Sequence, residues 1–185
     1  NDGQAIPTSN STTSVTAHTS SYDKKAVAPD QNRKLENPDI KVEIEGLGSG
    51  VSHLIGMYTD QFFMADSAVA SGGKMFFKKN EPYQPGFYYL RLPDRRTTIQ
   101  IIIDADQTFS MKTKMNDLMN GMQVEGSIDN QLLYQTFRFE EGQKADFMRV
   151  NTQLRSLVDG TEEHKKVKAE QKTLTDQRIA FLNKI

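Results

Sequence analysis

Three short clusters carry residue types that could do chemistry. Asp104-Ala105-Asp106 has the D-x-D opening of a calcium loop. Such a loop needs more oxygen ligands at alternate positions, a Gly at its sharp bend and a closing bidentate Glu. Here position 108 is Thr, position 109 is Phe, and no Glu stands at the closing distance. The pair instead predicts a strand-end turn whose carboxylates accept hydrogen bonds from backbone amides. Met111, Met115, Met119 and Met122 recur at spacings of four, four and three, and thioethers bind soft ions such as Cu(I). With no His or Cys close by in sequence, the stripe predicts core filling by a flexible side chain. Gly72-Gly73-Lys74 lacks the G-x-x-x-x-G-K-[ST] spacing of a phosphate loop. It predicts a tight β-hairpin turn.

The remaining candidates are weaker still. His18, His53 and His164 are scattered, without the H-E-x-x-H spacing of a zinc protease. No G-x-S-x-G elbow is present. Glu43 and Glu45 share one face of a strand, which predicts a solvated outer face unless that face is a cleft. The densest signal is aromatic: Phe76, Phe77, Tyr83, Phe87, Tyr88 and Tyr89. A sandwich core accounts for one face of each strand. The other face, carrying Phe77 or Tyr88 by alternation, is the candidate partner or glycan contact surface. Phe77, Tyr83 and Tyr88 are therefore the candidate binding residues. No catalytic, cofactor or metal residue is expected.

These residues must be positioned by strands up to residue 126 and by helices beyond it. Residues 40–45 alternate strictly, with Ile40, Val42 and Ile44 on one face. Further strands are predicted at 51–58, 61–70, 74–78, 87–92, 97–103, 107–112 and 122–125. They are bounded by turn signals at 46–50, Thr59-Asp60, Ser71-Gly72-Gly73, 80–86 and Pro93-Asp94-Arg95. After Gly126 the rhythm changes from two to three and four. Ser127 or Asp129 caps a first helix, with Leu132, Leu133, Phe137, Val150, Leu154 and Leu157 at helical spacing. Asp159-Gly160 ends it, and Thr161 caps a second helix with Glu162 and Glu163 in its first turn. The expected fold is α+β: an antiparallel β-sandwich or barrel-like sheet of seven or eight strands over 40–126, then a helical hairpin over 127–185. The apolar stripe of the second helix is cut at Ile185, so the natural protein is expected to continue.

Composition bounds the compartment and the partners. Residues 1–39 are polar, and 8–21 are mostly Ser and Thr, too poor in apolar area to offset ordering entropy. They read as a flexible tether that holds an exported domain off a membrane or cell surface. Asn10-Ser11-Thr12 matches the N-glycosylation pattern, which Ser/Thr-rich tracts produce by chance. A net charge of −1 argues against a nucleic-acid footprint. No apolar run approaches the roughly 18 residues a spanning helix needs. With no cysteine, a disulfide, a thiolate zinc site and thiol redox activity are excluded in this chain.

A resemblance runs along much of the chain. In order it is carried by Leu54-x-Gly56-x-Tyr58, Ala65-Asp66-Ser67-Ala68, Gly73-Lys74-Met75-Phe76-Phe77 and Pro85-Gly86-Phe87-Tyr88. Residues 99–104, Gln107-Thr108-Phe109-Ser110-Met111 and Gly126-Ser127-x-x-Asn130 complete it. Together these resemble the uncharacterised N-terminal β-domain and helical linker ahead of thioredoxin-like domains, in envelope thiol–disulfide oxidoreductases of anaerobic Gram-negative bacteria. The resemblance implies a periplasmic or outer-membrane-associated location, lipoprotein-like, and a C-terminal redox domain with a Cys-x-x-Cys pair that this chain lacks. It transfers no catalytic residue. Asp66-Ser67-Ala68 also fits a short O-glycosylation pattern of such bacteria, although strand packing is the expected role. The expected function is a non-catalytic accessory region that positions a redox domain, recognises its clients or mediates self-association. The alternative is a free-standing surface module that contacts glycan or protein through an aromatic sheet face. An enzyme whose site is assembled from distant residues is the remaining class.

Overall fold

The computed structural model describes residues 33–59 and 61–185. The tether up to residue 32, Asn10-Ser11-Thr12, His18 and Asp60 lie outside the described residues. Eight strands precede two helices: β1 (Asp39–Glu45), β2 (Gly50–Tyr58), β3 (Gln61–Ala70), β4 (Lys74–Lys78), β5 (Gly86–Arg91), β6 (Thr98–Ile103), β7 (Thr108–Lys114) and β8 (Gln123–Glu125), then α1 (Ile128–Ser156) and α2 (Glu162–Leu182). The strands form two four-stranded sheets, ordered β4-β1-β7-β8 and β3-β2-β5-β6. The fold is α+β with two open sheets rather than a closed barrel.

The alternation seen in sequence sets the layers. Ile40, Val42 and Ile44 of β1 are buried, as are Met75 and Phe77 of β4 and Phe109 and Met111 of β7. Opposite them, Leu54 of β2, Tyr88 and Leu90 of β5, and Ile99, Ile101 and Ile103 of β6 join the same apolar cluster. One pairing departs from the antiparallel expectation: β1 and β7 run parallel, with Glu43 beside Lys112 and Glu45 beside Lys114. Between β1 and β7 the chain lays down β2 and β3 in the second sheet, crosses to the first for β4 and returns to the second for β5 and β6. The Gly72-Gly73 turn links strands of different sheets. Both glycines have positive φ, 56° and 78°, and a single bridge, Ser71 to Lys74, closes the turn before the strands part. A Cβ on Gly73 would lie 2.4 Å from the Ile44 carbonyl oxygen.

Two buried amide side chains complete the frame by acting as backbone. The Gln107 amide accepts from Tyr83 N–H at 2.9 Å and donates to Tyr83 C=O at 2.8 Å, pinning the loop before β5. Asn130 does the same to the free edge of β6. Its Oδ1 accepts from Ile102 N–H at 2.8 Å, and its Nδ2 donates to Ile102 C=O at 2.7 Å. That edge would otherwise offer unpaired groups to another chain. Ser127 caps α1 as predicted, its Oγ accepting from the Asn130 backbone N–H. One turn further on, Tyr134 O–H donates to Gln100 C=O at 2.9 Å. The start of α1 thus closes the open side of the sandwich along β6 and β8.

Beyond this dock the helices leave the sheets. Among the described residues α2 packs on α1 and on no strand. Thr161 caps α2 through His164 N–H, as expected. The hairpin is antiparallel, with Val150 and Val167 buried and Phe139 stacked on Phe181 at 4.1 Å. Arg149 pairs with Glu170, and Arg178 with Glu140. These exposed pairs fix register more than they add stability.

Asn130→Ala removes three side-chain hydrogen bonds, two to Ile102 and one to Ser127 Oγ, and leaves both Ile102 backbone groups unpaired under the helix. At about 1–3 kcal/mol for each unsatisfied buried group, the loss in urea unfolding is expected at about 2–4 kcal/mol. Gln135→Ala, at an exposed position of the same helix, is expected to stay within about 0.5 kcal/mol of wild type.

Candidate functional site: the outer face of the second sheet

Strand pairing decides which aromatic residues face outward, and it reverses the expectation for Phe77 and Tyr88. Phe77 is only 1% exposed and Tyr88 2%. Phe77 lies opposite Ile40, whose face is the core face of β1. Tyr88 lies opposite Gly56, next to the buried Leu54–Leu90 pair. The outward residues are therefore their neighbours Phe76 on β4 and Phe87 on β5. Tyr83 is also buried, in the loop before β5, where its O–H donates to Asp66 and its ring lies 3.9 Å below the Lys79 ammonium. Burial, with Asp66 alongside, pushes the Tyr83 phenol well above its ordinary value. Burial alone raises Tyr88, and burial dominates at Tyr134.

The other candidates resolve into structural roles. Asp104 and Asp106 both bind the Arg33 guanidinium, in place of the backbone amides expected from the turn reading. Glu43 and Glu45 point outward and pair with Lys112 at 3.2 Å and Lys114 at 3.4 Å. Met111 and Met122 are buried and Met115 packs against the core, whereas Met119 is exposed. The four do not share a helix, since Met111 lies in β7 and the others follow it before α1. His164 pairs with Asp159 at 3.1 Å. Ala68 is buried, while Ser67 faces solvent and its N–H donates to Asp66. Among the described residues no group of three or more His, Asp or Glu could hold a metal ion.

What the two sheets show to solvent differs sharply. The outer face of β4-β1-β7-β8 carries Lys41, Glu43, Glu45, Lys74, Lys78, Lys112, Lys114 and Glu125 around Phe76. That is the usual solvated alternation. The face of β3-β2-β5-β6 breaks the rule. On β2 the inward residues are Ser52, Leu54 and Gly56, and the outward ones are Val51, His53, Ile55 and Met57. The outward set is the more apolar of the two. A bulge between Leu54 and Ile55 shifts β3, so that Ile55 pairs with Met64 and Met57 with Phe62. Phe62 is 64% exposed and Met64 57%, and Met57, Val51, Val69 and Phe87 are exposed as well. Phe62 meets Tyr89 edge-on at 6.0 Å, which fixes two rings of the face relative to one another.

At one end the face folds over into a cleft of about 350 Å³ lined by Met57, Phe62, Phe63, Pro85 and Tyr88. Phe63 lies against Gly56, where a Cβ would come within 2.3 Å of the ring. It meets Tyr88 edge-on at 6.3 Å. The absence of a side chain at Gly56 is what lets this ring lie flat at the mouth of the sandwich. Sequence reasoning passed over Met57, Phe62, Phe63 and Met64. The available signal was a strand with apolar residues at both parities, which a half-buried strand does not need.

Residues 38–133 match the model of a family described as Domain of unknown function (DUF4369). The chain belongs to that family. The DUF4369 match takes in all eight strands and the start of α1 with Ser127 and Asn130, and stops just before Tyr134. The family unit thus coincides with the sandwich and its helical clamp, and the hairpin lies beyond it. No curated protein and no solved structure matches the chain.

Tyr83, Tyr88 and Tyr134 give this region a pH signature. Their folded phenols ionise above the usual value of about 10, so the unfolded chain releases protons that the fold retains. Their contribution is fully present below about pH 10 and is lost as pH rises beyond it. In an ultraviolet titration, three of the six tyrosines are expected to ionise only as circular dichroism reports unfolding. Smooth ionisation of all six near pH 10 with the fold intact would contradict this.

Proposed function

We propose that this DUF4369 sandwich is a non-catalytic docking module whose β3-β2-β5-β6 outer face receives a protein partner. The observation that carries the reading is the contrast between the two outer faces of one sandwich, one covered in alternating charge and the other in Val, Ile, Met, Phe and Tyr. Soluble domains rarely leave a contiguous apolar patch of more than a few hundred Å² open unless something binds there. Met and aromatic side chains are also the types enriched where proteins meet.

In this reading the chain is the accessory region of a larger exported protein. The redox context comes from the resemblance to regions ahead of thioredoxin-like domains. With no cysteine in the chain, any thiol chemistry belongs to another domain. The α1–α2 hairpin then serves as the spacer between sandwich and redox domain, and the docking face takes clients or a neighbouring envelope protein. A glycan is the competing occupant. The mixture of Val51, Val69, Met57 and Met64 with the rings favours an apolar protein surface over sugar hydroxyls. No described helix is long and apolar enough to cross a membrane, so the proposed attachment runs through the N-terminal tether.

A photo-crosslinking amino acid placed at Phe62 or Phe87, in the full protein within its own cells, is expected to give discrete protein adducts. The same probe at Phe76, on the charged sheet, serves as the control and is expected to give none. Equal labelling from all three positions, or none from Phe62 and Phe87, would exclude the docking reading. Glycan-only adducts would transfer it to the alternative.

A further inference from the structure

A polar row crosses the middle of the apolar face. The strand register sets Ser67, His53, Arg91 and Thr98 side by side on β3, β2, β5 and β6. On one side of it stand Val51 and Val69. On the other stand Met64, Ile55 and Tyr89, and then Phe62 and Met57, with Phe87 two residues from Tyr89 along β5. No acidic residue is paired into these rows; Asp66 lies opposite Leu54 and points inward to Tyr83. Arg91 has no ion-pair partner among the described residues, and its Nε is shut from solvent without a hydrogen bond. His53 Nδ1, directly across, is in the same state. Unpaired buried polar atoms are rare enough in native folds that each calls for a reason.

On the docking reading above, we infer that the partner presents one carboxylate, an aspartate or glutamate flanked by apolar side chains, which seats over Arg91 and His53. A guanidinium offers a planar fork that matches a carboxylate. The surrounding Val, Ile, Met and Phe side chains exclude water once covered, which strengthens the pair. The arrangement also discriminates: a basic segment would meet Arg91 with like charge and find no acid on the face to answer it. Adjacent rows lie about 7 Å apart along a strand. The apolar anchors of the partner are therefore expected about two and four extended residues from its acid, on the Phe62 side.

The test is selection of a displayed random-peptide library on the purified chain, followed by binding measurements on wild type, Arg91→Gln, Arg91→Glu and Phe62→Ser. Circular dichroism would verify the fold of each. Enriched peptides are expected to carry one Asp or Glu beside Leu, Met, Phe or Tyr. They should bind Arg91→Glu at least tenfold more weakly and Arg91→Gln several-fold more weakly, and selection on Arg91→Glu should replace the acid by Lys or Arg. Peptides that need Phe62 but carry no acid and ignore Arg91 would overturn this inference and leave the docking face standing. Peptides that bind Phe62→Ser as well as wild type would overturn both, as would the absence of any enrichment. Self-association abolished by Phe62→Ser would replace the acidic partner with a second copy of the chain.

Discussion

The build of this molecule turns on the Asn130 amide. It supplies one acceptor and one donor to Ile102 and so ends the β3-β2-β5-β6 sheet as an additional strand would. With Tyr134 on Gln100, it fixes α1 to the edge of that sheet. A helix held on an edge cannot cover a face, so the outer surface of β2, β3 and β5 stays open although a long helix starts beside it. Two consequences come from one interaction: one edge of the sheet is capped, and the apolar face remains available.

The same economy recurs at Gln107, whose amide pairs both backbone groups of Tyr83. It holds the loop that carries Tyr83 against Asp66 and leads into β5. Tyr88 can then meet Phe63 edge-on, and Phe63 lies against Gly56. The core is thus filled from one side of each strand, and β2 contributes the smaller part of its apolar residues to it. In the other sheet, β1 gives all three of its isoleucine and valine side chains to the core and shows Lys and Glu to water. One sandwich contains both a strand designed for solvent and a strand designed for contact.

Much of this was legible in the chain, for local reasons. The strict alternation at 40–45 and the caps Ser127 and Thr161 each act within a few residues and formed where they were expected, whereas the double glycine at 72–73 makes a turn between two sheets rather than the expected hairpin. The parallel pairing of β1 with β7 was not legible, because it joins segments about sixty residues apart whose local patterns look alike whichever way they run. The facing of Phe77 and Tyr88 depended on their partners: Ile40 across from Phe77 and Gly56 across from Tyr88 turned both inward. The role of Asn130 was hidden because nothing near it in sequence shows that its side chain will meet β6. Phe62 and Met64 stand in a strand with apolar residues at both parities, and parity alone does not say which set faces the core.

Methionine oxidation by hydroxyl radicals tests the central claim on the chain itself. Met57 and Met64 lie on the proposed face, exposed Met119 and Met148 lie off it, and buried Met75 and Met111 report on unfolding. In the purified chain all four exposed methionines are expected to oxidise readily. In the protein's native cells, Met57 and Met64 are expected to be protected at least several-fold while Met119 and Met148 oxidise as before. Equal oxidation of all four in cells, with Met75 and Met111 spared, would mean the face stays bare where the protein works and would contradict the account.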